Sequence, residues 1–402
     1  MSMTLKEIKY LIQSTNVNIL YGSGLSVPYL STLGPIEKWL TQLAEDKAKS
    51  PLAVELKIAE ASIYKLYFGK VLSPNYYITD RNIRQKTIDT YSECLSTWND
   101  ILNKRRSSLL HKQVNLFTTN VDTLVETAAE ISGIELNDGF RGTIKQIFDE
   151  SNFQKTINKT SLHFQNTTEI PVFNLMKLHG SVNWHCEGSK IVNDIFSQIY
   201  HVREELNKID NSKFVELFTV DPVTKAIKYK SYDEIIIEAK ALAAGIDASI
   251  YDTFLERYRD FIMVNPTKRK FVESVMDYHF YELIRMYSNS LEKENSLLFV
   301  MGFSFADEHI ARVTMRAVNA NPTLQVIIFA YDDVQKESFE NNLGITGSLI
   351  NNNVQILTPS SFKETNQQDY DELCKDIETF DFITINKVFG FINNTLHSDY
   401  EY

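Results

Sequence analysis

The chain has 402 residues, 43% hydrophobic and 12% aromatic, which supplies a sizeable core and argues against disorder over most of its length. A formal net charge of -11 opposes binding to nucleic acid or an anionic membrane, so no direct nucleic-acid binding and no membrane association are expected. Three scattered cysteines, Cys94, Cys186 and Cys374, with no C-x-x-C pair, encode neither a disulfide framework nor a Cys-rich zinc module.

Along the chain, MSMTLKEIKYLIQ is charged and amphipathic, with no secretory apolar segment, so a soluble cytoplasmic protein is expected. NVNILYGSG (16–24) reads as a buried strand running into a Gly turn. PIEKWLTQLAEDKAK (35–49) reads as a helix with Pro in its first turn. Residues 46–110 read as mostly helical and lead into the basic cluster NKRRSSLLHK (103–112), taken as the solvated end of a helix. VNLFTTN (114–120) and VFNLMKLHG (172–180) are the second and third strands. Residues 186–260 read as helices with a possible strand pair, FVELFTV and KAIKYK. FIMVNP (261–266) is a fourth strand, followed by SLLFVMGFS (296–304), LQVIIFAY (324–331) and VQILTP (354–359). DEHIARVTMRAVNA (307–320) opens with acids and carries an apolar stripe through Ile310, Val313 and Ala317, as an amphipathic helix does.

Near-continuous apolar strands separated by helices predict an α/β chain: a parallel sheet covered by helices on both faces. The expected core is residues 1–45 with 111–185 and 261–360. Residues 46–110 and 186–260 are expected as mainly helical insertions forming a smaller second layer. Residues 361–402 are expected as a C-terminal helical tail.

In such a sheet, ligands bind at the carboxyl ends of the strands. Four of those ends are polar or Gly-rich. Gly22-Ser23-Gly24-Leu25-Ser26 has the small residues that let a backbone approach a pyrophosphate. A simple tight turn explains them as well, and Val27 stands where a dinucleotide fingerprint has its third Gly. Asn120 and Asp122 follow the paired threonines Thr118 and Thr119, and Asp122 also suits a helix cap. KLHGSVNWH (177–185) contains His179, open to three readings: a structural residue, a metal ligand or a general base. The six-residue step to His185 does not suit a metal site, and no metal is expected. A reference pKa near neutrality suits a base.

In this order, G-S-G-L-S, T-N-x-D, H-G-S and G-x-S resemble the sirtuin family. FTTNVDTLVE, KLHGSVNW, VNPTKRKF and VMGFSFADEHI resemble its bacterial branch found in anti-phage defence proteins, notably the HerA-associated ones. The likeness covers roughly 16–45, 114–140, 172–185 and 261–330. It implies a Rossmann-like fold that binds NAD. Gly22, Ser23, Gly24 and Ser26 would cradle the phosphates. Asn120 would hold the nicotinamide ribose and an attacking water, Asp122 would sit near the nicotinamide amide, and His179 would be the base. Gly302 and Ser304 would line the adenosine end, with Asp307 and His309 matching the branch's pattern beside them. Thr119 stands where sirtuin deacylases have Gln, and their four zinc cysteines and Pro-Asp-Phe-Arg segment are missing.

The resemblance therefore implies NAD as a substrate, cleaved to nicotinamide and ADP-ribose by an antiviral effector. An NAD-dependent protein deacylase and a non-catalytic NAD- or ADP-ribose-binding module are the alternatives. Relatives of this compact layout act with a separately encoded HerA-type ATPase and others with short Argonaute systems, so a HerA-type partner and a homo-oligomer are expected.

Overall fold

In the computed structural model, which describes residues 3–32, 34–105, 109–222, 224, 226–264, 274–347 and 351–396, seven strands form one parallel sheet. They are β1 (Asn16–Tyr21), β2 (Gln113–Thr118), β3 (Leu136–Asn137), β4 (Val172–Lys177), β5 (Ser296–Met301), β6 (Gln325–Phe329) and β7 (Val354–Leu357). Their order is β7-β6-β5-β1-β2-β4-β3. The chain grows outward from β1 on one side and then returns to grow on the other, so the switch point lies at β1. This is the Rossmann-like α/β architecture expected from the alternation of apolar strands and helices.

Alternation along each strand divides the sheet's side chains between two cores. Val17, Ile19, Leu116, Phe173, Leu297 and Phe299 face one side. There they meet α1 (Leu5–Ser14), α4 (Arg81–Lys104), α5 (Leu124–Ser132) and the C-terminal helix Phe382–Thr395. Leu20, Phe117, Met176, Leu298 and Val300 face the other side, under α9 (Ser274–Glu292), α10 (Glu308–Ala320) and α11 (Gln335–Leu343). Burial on both faces is why these strands carry apolar residues almost without interruption.

One row in the sheet is polar. Asn18, Asn115, Asn174 and Asn137 lie in register on β1, β2, β4 and β3. Asn137 Nδ2 donates to Asn174 Oδ1 (3.0 Å), Asn174 to Asn115 (3.0 Å), and Asn115 to Asn18 (2.9 Å). Asn18 Nδ2 donates to the Leu297 carbonyl on β5 (3.3 Å).

A second layer contains α2 (Ile36–Lys49), α3 (Val54–Tyr67), α6 (Ser197–Asn207), α7 (Tyr232–Ala243) and α8 (Asp252–Arg259) around a separate core. Val121, Val182 and Met263 belong to that core. The helical layer therefore rests on the loops that leave β2 and β4. Phe218–Val220 and Ile227–Tyr229 form the expected antiparallel pair.

The structure departs from the sequence expectation in several places. FIMVNP is not a sheet strand: Met263 makes one antiparallel bridge to Gly180, and Phe261, Ile262 and Met263 are buried in a loop. Its apolar character comes from burial between the layers. α4 falls within the expected insertion 46–110 but packs on the sheet, through Ile88, Leu95, Trp98 and Ile101. Residues 140–193 also contribute a four-stranded antiparallel sheet that its short strands did not advertise. The tail holds Pro359–Asn366, the short helix Asp371–Cys374, and Phe382–Thr395. Most of VNPTKRKF, and residues 106–108 of the basic cluster, lie outside the described residues. No described helix is long and apolar enough to cross a membrane.

Candidate active site

The carboxyl ends of β5, β1, β2 and β4 stand side by side at the switch point. After β1, the Gly22 N–H donates to the Met301 carbonyl (3.1 Å) and the Gly24 N–H to the Gly302 carbonyl (3.0 Å). A Cβ on Gly22 would lie 2.6 Å from the Gly302 oxygen, and one on Gly24 would lie 2.9 Å from the Gly302 Cα. These glycines let two loops touch backbone to backbone. Their amides are engaged by the end of β5, and Ser23 is exposed at the tip of the turn. Gly22 and Gly24, two of the residues expected to cradle phosphates, thus lie against the end of β5. Ser26, a third of those residues, is buried and bonds to the segment after β2.

Ser26 Oγ donates to Asp122 Oδ2 (2.9 Å) and accepts from Asn120 Nδ2 (3.2 Å). It also shares a hydrogen bond with the Tyr91 hydroxyl (3.2 Å). A serine has one hydrogen to donate and two lone pairs, so Tyr91 is the donor and the serine is saturated. Asp122 Oδ1 accepts from the Leu124 N–H (3.2 Å) at the start of α5, although the N-cap position itself is held by Thr123. Thr119 is half-buried beside this cluster, and the neighbouring Thr118 Oγ1 accepts from the Asn120 N–H (2.9 Å).

Lys177, the last residue of β4, completes the cluster. Its Nζ donates to the Asp122 carbonyl and to Ser181 Oγ (2.8 Å), and pairs with Glu126 Oε1 (2.5 Å). Burial pushes the Asp122 carboxyl above its ordinary pKa, with Lys177 pulling the other way. Burial raises Glu126 as well, again opposed by Lys177, and the Asp122 charge adds to the rise. From the helical layer, Asn75 Oδ1 accepts the Thr123 N–H (3.1 Å). The segment 119–123 is thus held from the turn after β1, from β4 and from the second layer, with Tyr91 of α4 bonded to Ser26 behind it.

His179 begins a second cluster. Its Nε2 lies 3.1 Å from Asp307 Oδ2. Asp307 caps α10, its Oδ1 accepting from the His309 N–H (3.0 Å) and the Ile310 N–H (3.3 Å). β4 and β5 are separated by β1 and β2, a span of roughly 14 Å at ~4.8 Å per step. The His179–Asp307 contact therefore joins loops over the ends of both intervening strands. His179, Asp307 and His309 line a recess with Leu178, Val264, Phe280, Ile284 and Ile310. Gly180 supports this turn at φ +76, with a virtual Cβ 2.1 Å from the Ile262 carbonyl oxygen, so only glycine fits. Phe305, buried at φ +57, marks backbone strain in the β5 loop.

The candidate residues fall into three groups. Gly22, Gly24 and Gly302 pack together; Ser26, Asn120 and Asp122 share hydrogen bonds; His179, Asp307 and His309 surround the recess. Ser304 is exposed on the β5 loop, its carbonyl accepting from Asn342 Nδ2 (2.8 Å). Lys177, Glu126, Tyr91 and Asn75 were missed from sequence. Lys177 had left one signal, a charge at the end of an otherwise apolar strand. Among the described residues, no group of three His, Cys, Asp or Glu side chains could hold a metal ion. No protein-family model matches the chain, and no curated protein matches it either.

Proposed function

We propose that the chain hydrolyses NAD to nicotinamide and ADP-ribose, as a cytoplasmic anti-phage effector that depletes NAD when it assembles with a partner. The observation carrying this reading is Asn120, an uncharged amide held at the end of β2 by Ser26 from the end of β1, at the switch point where such sheets take ligands. The nicotinamide–ribose bond breaks with positive charge developing on the ribose, and water adds to that carbon. The reaction needs positioned polar groups and a base more than a strong nucleophile. Asn120 would orient the ribose and the water, and His179 would take the water's proton. Asp307, on His179 Nε2, would set the ring's orientation as a carboxylate does for a catalytic histidine. Ser23 would meet the phosphates, and the exposed β5 loop with Gly302 and Ser304 would border the adenosine.

Asn120 is only 7% exposed and its amide is engaged by Ser26, which fits a resting form that is slow until its loops rearrange. Self-association and a HerA-type ATPase would supply that rearrangement by favouring the open, reactive arrangement. The test is nicotinamide release from NAD by the purified protein, alone and with its genomic neighbour's product, with Asn120→Ala as control. Release that needs no peptide and is lost in the variant supports hydrolysis. Dependence on an acyl-lysine peptide would identify a deacylase instead, and binding without release would identify a non-catalytic module.

A further inference from the structure

We infer that Lys177 is a positioning residue, locking the segment that carries Asn120 and Asp122 to the loop that carries His179. The inference rests on the proposed NAD chemistry for its catalytic meaning, but not for its structural content. Lys177 is 3% exposed at the end of VFNLMK, a strand buried along its whole length. A lysine is rarely held so deeply without compensation. An ammonium has three hydrogens, and this one has three acceptors: the Asp122 carbonyl, Ser181 Oγ and Glu126 Oε1.

The choice of acceptors separates positioning from simple charge balance. Glu126 alone would neutralise the ammonium. The Asp122 carbonyl belongs to the irregular stretch between β2 and α5, where no strand or helix ladder fixes the backbone. Ser181 lies two residues beyond His179 and also donates to Asn183 Oδ1 (2.6 Å). Further ties run alongside: the Leu178 N–H donates to the Thr118 carbonyl (2.8 Å), and the Val182 N–H to the Val121 carbonyl (3.0 Å). The Ser181 hydroxyl also reaches the Val121 carbonyl (3.3 Å), and Lys177 bonds the Asp122 carbonyl, Glu126 and that same serine from inside, so the relative placement of Asn120 and His179 depends on it.

The test uses Lys177→Met together with Glu126→Gln, compared with Glu126→Gln alone, so that the loss of Lys177 does not leave Glu126 as an unpaired buried carboxylate. Amide hydrogen exchange at 119–124 is read first. Exchange at least about 10-fold faster in the double variant is expected, because local opening is released from the tether. With NAD, kcat should fall about 10²-fold while KM changes little, as a displaced catalytic group gives. Unchanged exchange, or a kcat equal to that of Glu126→Gln alone, overturns the inference. Should wild-type protein release no nicotinamide under any condition, the NAD reading fails and the exchange result alone decides for or against Lys177. If the double variant does not fold, Lys177→Leu with Glu126→Leu replaces the ion pair by apolar volume and carries the same readouts.

Discussion

Ser26, Asn120, Asp122 and Lys177 are all buried, and every one bonds at least one of the others. His179, Asp307 and His309 instead border a recess, with His309 exposed. The first cluster is closed on itself and continuous with the core, so damage to it should reach both stability and activity. The second sits on loop ends and caps a helix, so damage to it should reach activity first. Buried polar groups are costly when any member loses its partner, and half-open ones are relieved by water.

The largest expected effect breaks the buried cluster. Lys177→Met alone leaves Asp122 and Glu126 without their cation and should cost about 3–5 kcal/mol in chemical denaturation. A loss under about 1 kcal/mol would mean that the cluster is wetter than its burial implies. Next, His179→Ala should lower nicotinamide release by about 10²-fold, while its denaturation midpoint moves far less than that of Lys177→Met. Near-wild-type turnover would make His179 structural, and an equal stability loss would erase the contrast between the clusters. Gly22→Ala should destabilise by about 1–3 kcal/mol, since its methyl meets the Gly302 carbonyl and no flexible side chain can yield. If the stability holds and only NAD affinity falls, the glycine serves a ligand and not the contact between loops. Asp307→Ala should cost about 0.5–2 kcal/mol through the lost α10 cap.

The smallest effect is a pH slope. Both Asp122 and Glu126 have folded-state pKa values raised by burial, so the folded chain binds these protons more tightly than the unfolded chain. Their stabilising contributions are fullest below the ordinary values of 3.8 for Asp122 and 4.5 for Glu126, and are lost as pH rises toward the raised values. The stability of wild type minus that of Glu126→Gln should therefore decline as pH rises above the ordinary glutamate value of 4.5. A difference that rises over this range would show that Lys177 outweighs burial.

The parallel sheet was legible because β1, β2, β4, β5 and β6 are buried on both faces and so are written in apolar residues. The same signal misled at FIMVNP, where Met263 is buried beneath the helical layer and not between sheet neighbours. An apolar run reports burial, not the direction of its hydrogen bonds. Asn120, Asp122 and His179 could be singled out as polar groups at strand ends. Their partners could not: Tyr91 reaches Ser26 from 65 residues away, and Asn75 reaches Thr123 from 48. Such pairings arise only when α4 and the helical layer close over the loops. Likewise Gly22 and Gly24 could be read as phosphate-binding or as a turn, and only the approach of Gly302 shows what their missing side chains make room for.

The asparagine row across β3, β4, β2 and β1 bears on how the chain finds its fold. These four residues come from positions 18, 115, 137 and 174, so the pairings close long loops, and parallel pairing of this kind is slow to form. Apolar strands of similar composition offer many near-equivalent alignments while the chain searches. A shift of one residue would turn an asparagine to the opposite face, among Val17, Leu116 and Phe173, with its amide unmatched. Swapping two strands would interrupt the amide chain in the same way. The row thus acts as a checksum on strand order and alignment, penalising mispaired intermediates that hydrophobic burial alone would accept.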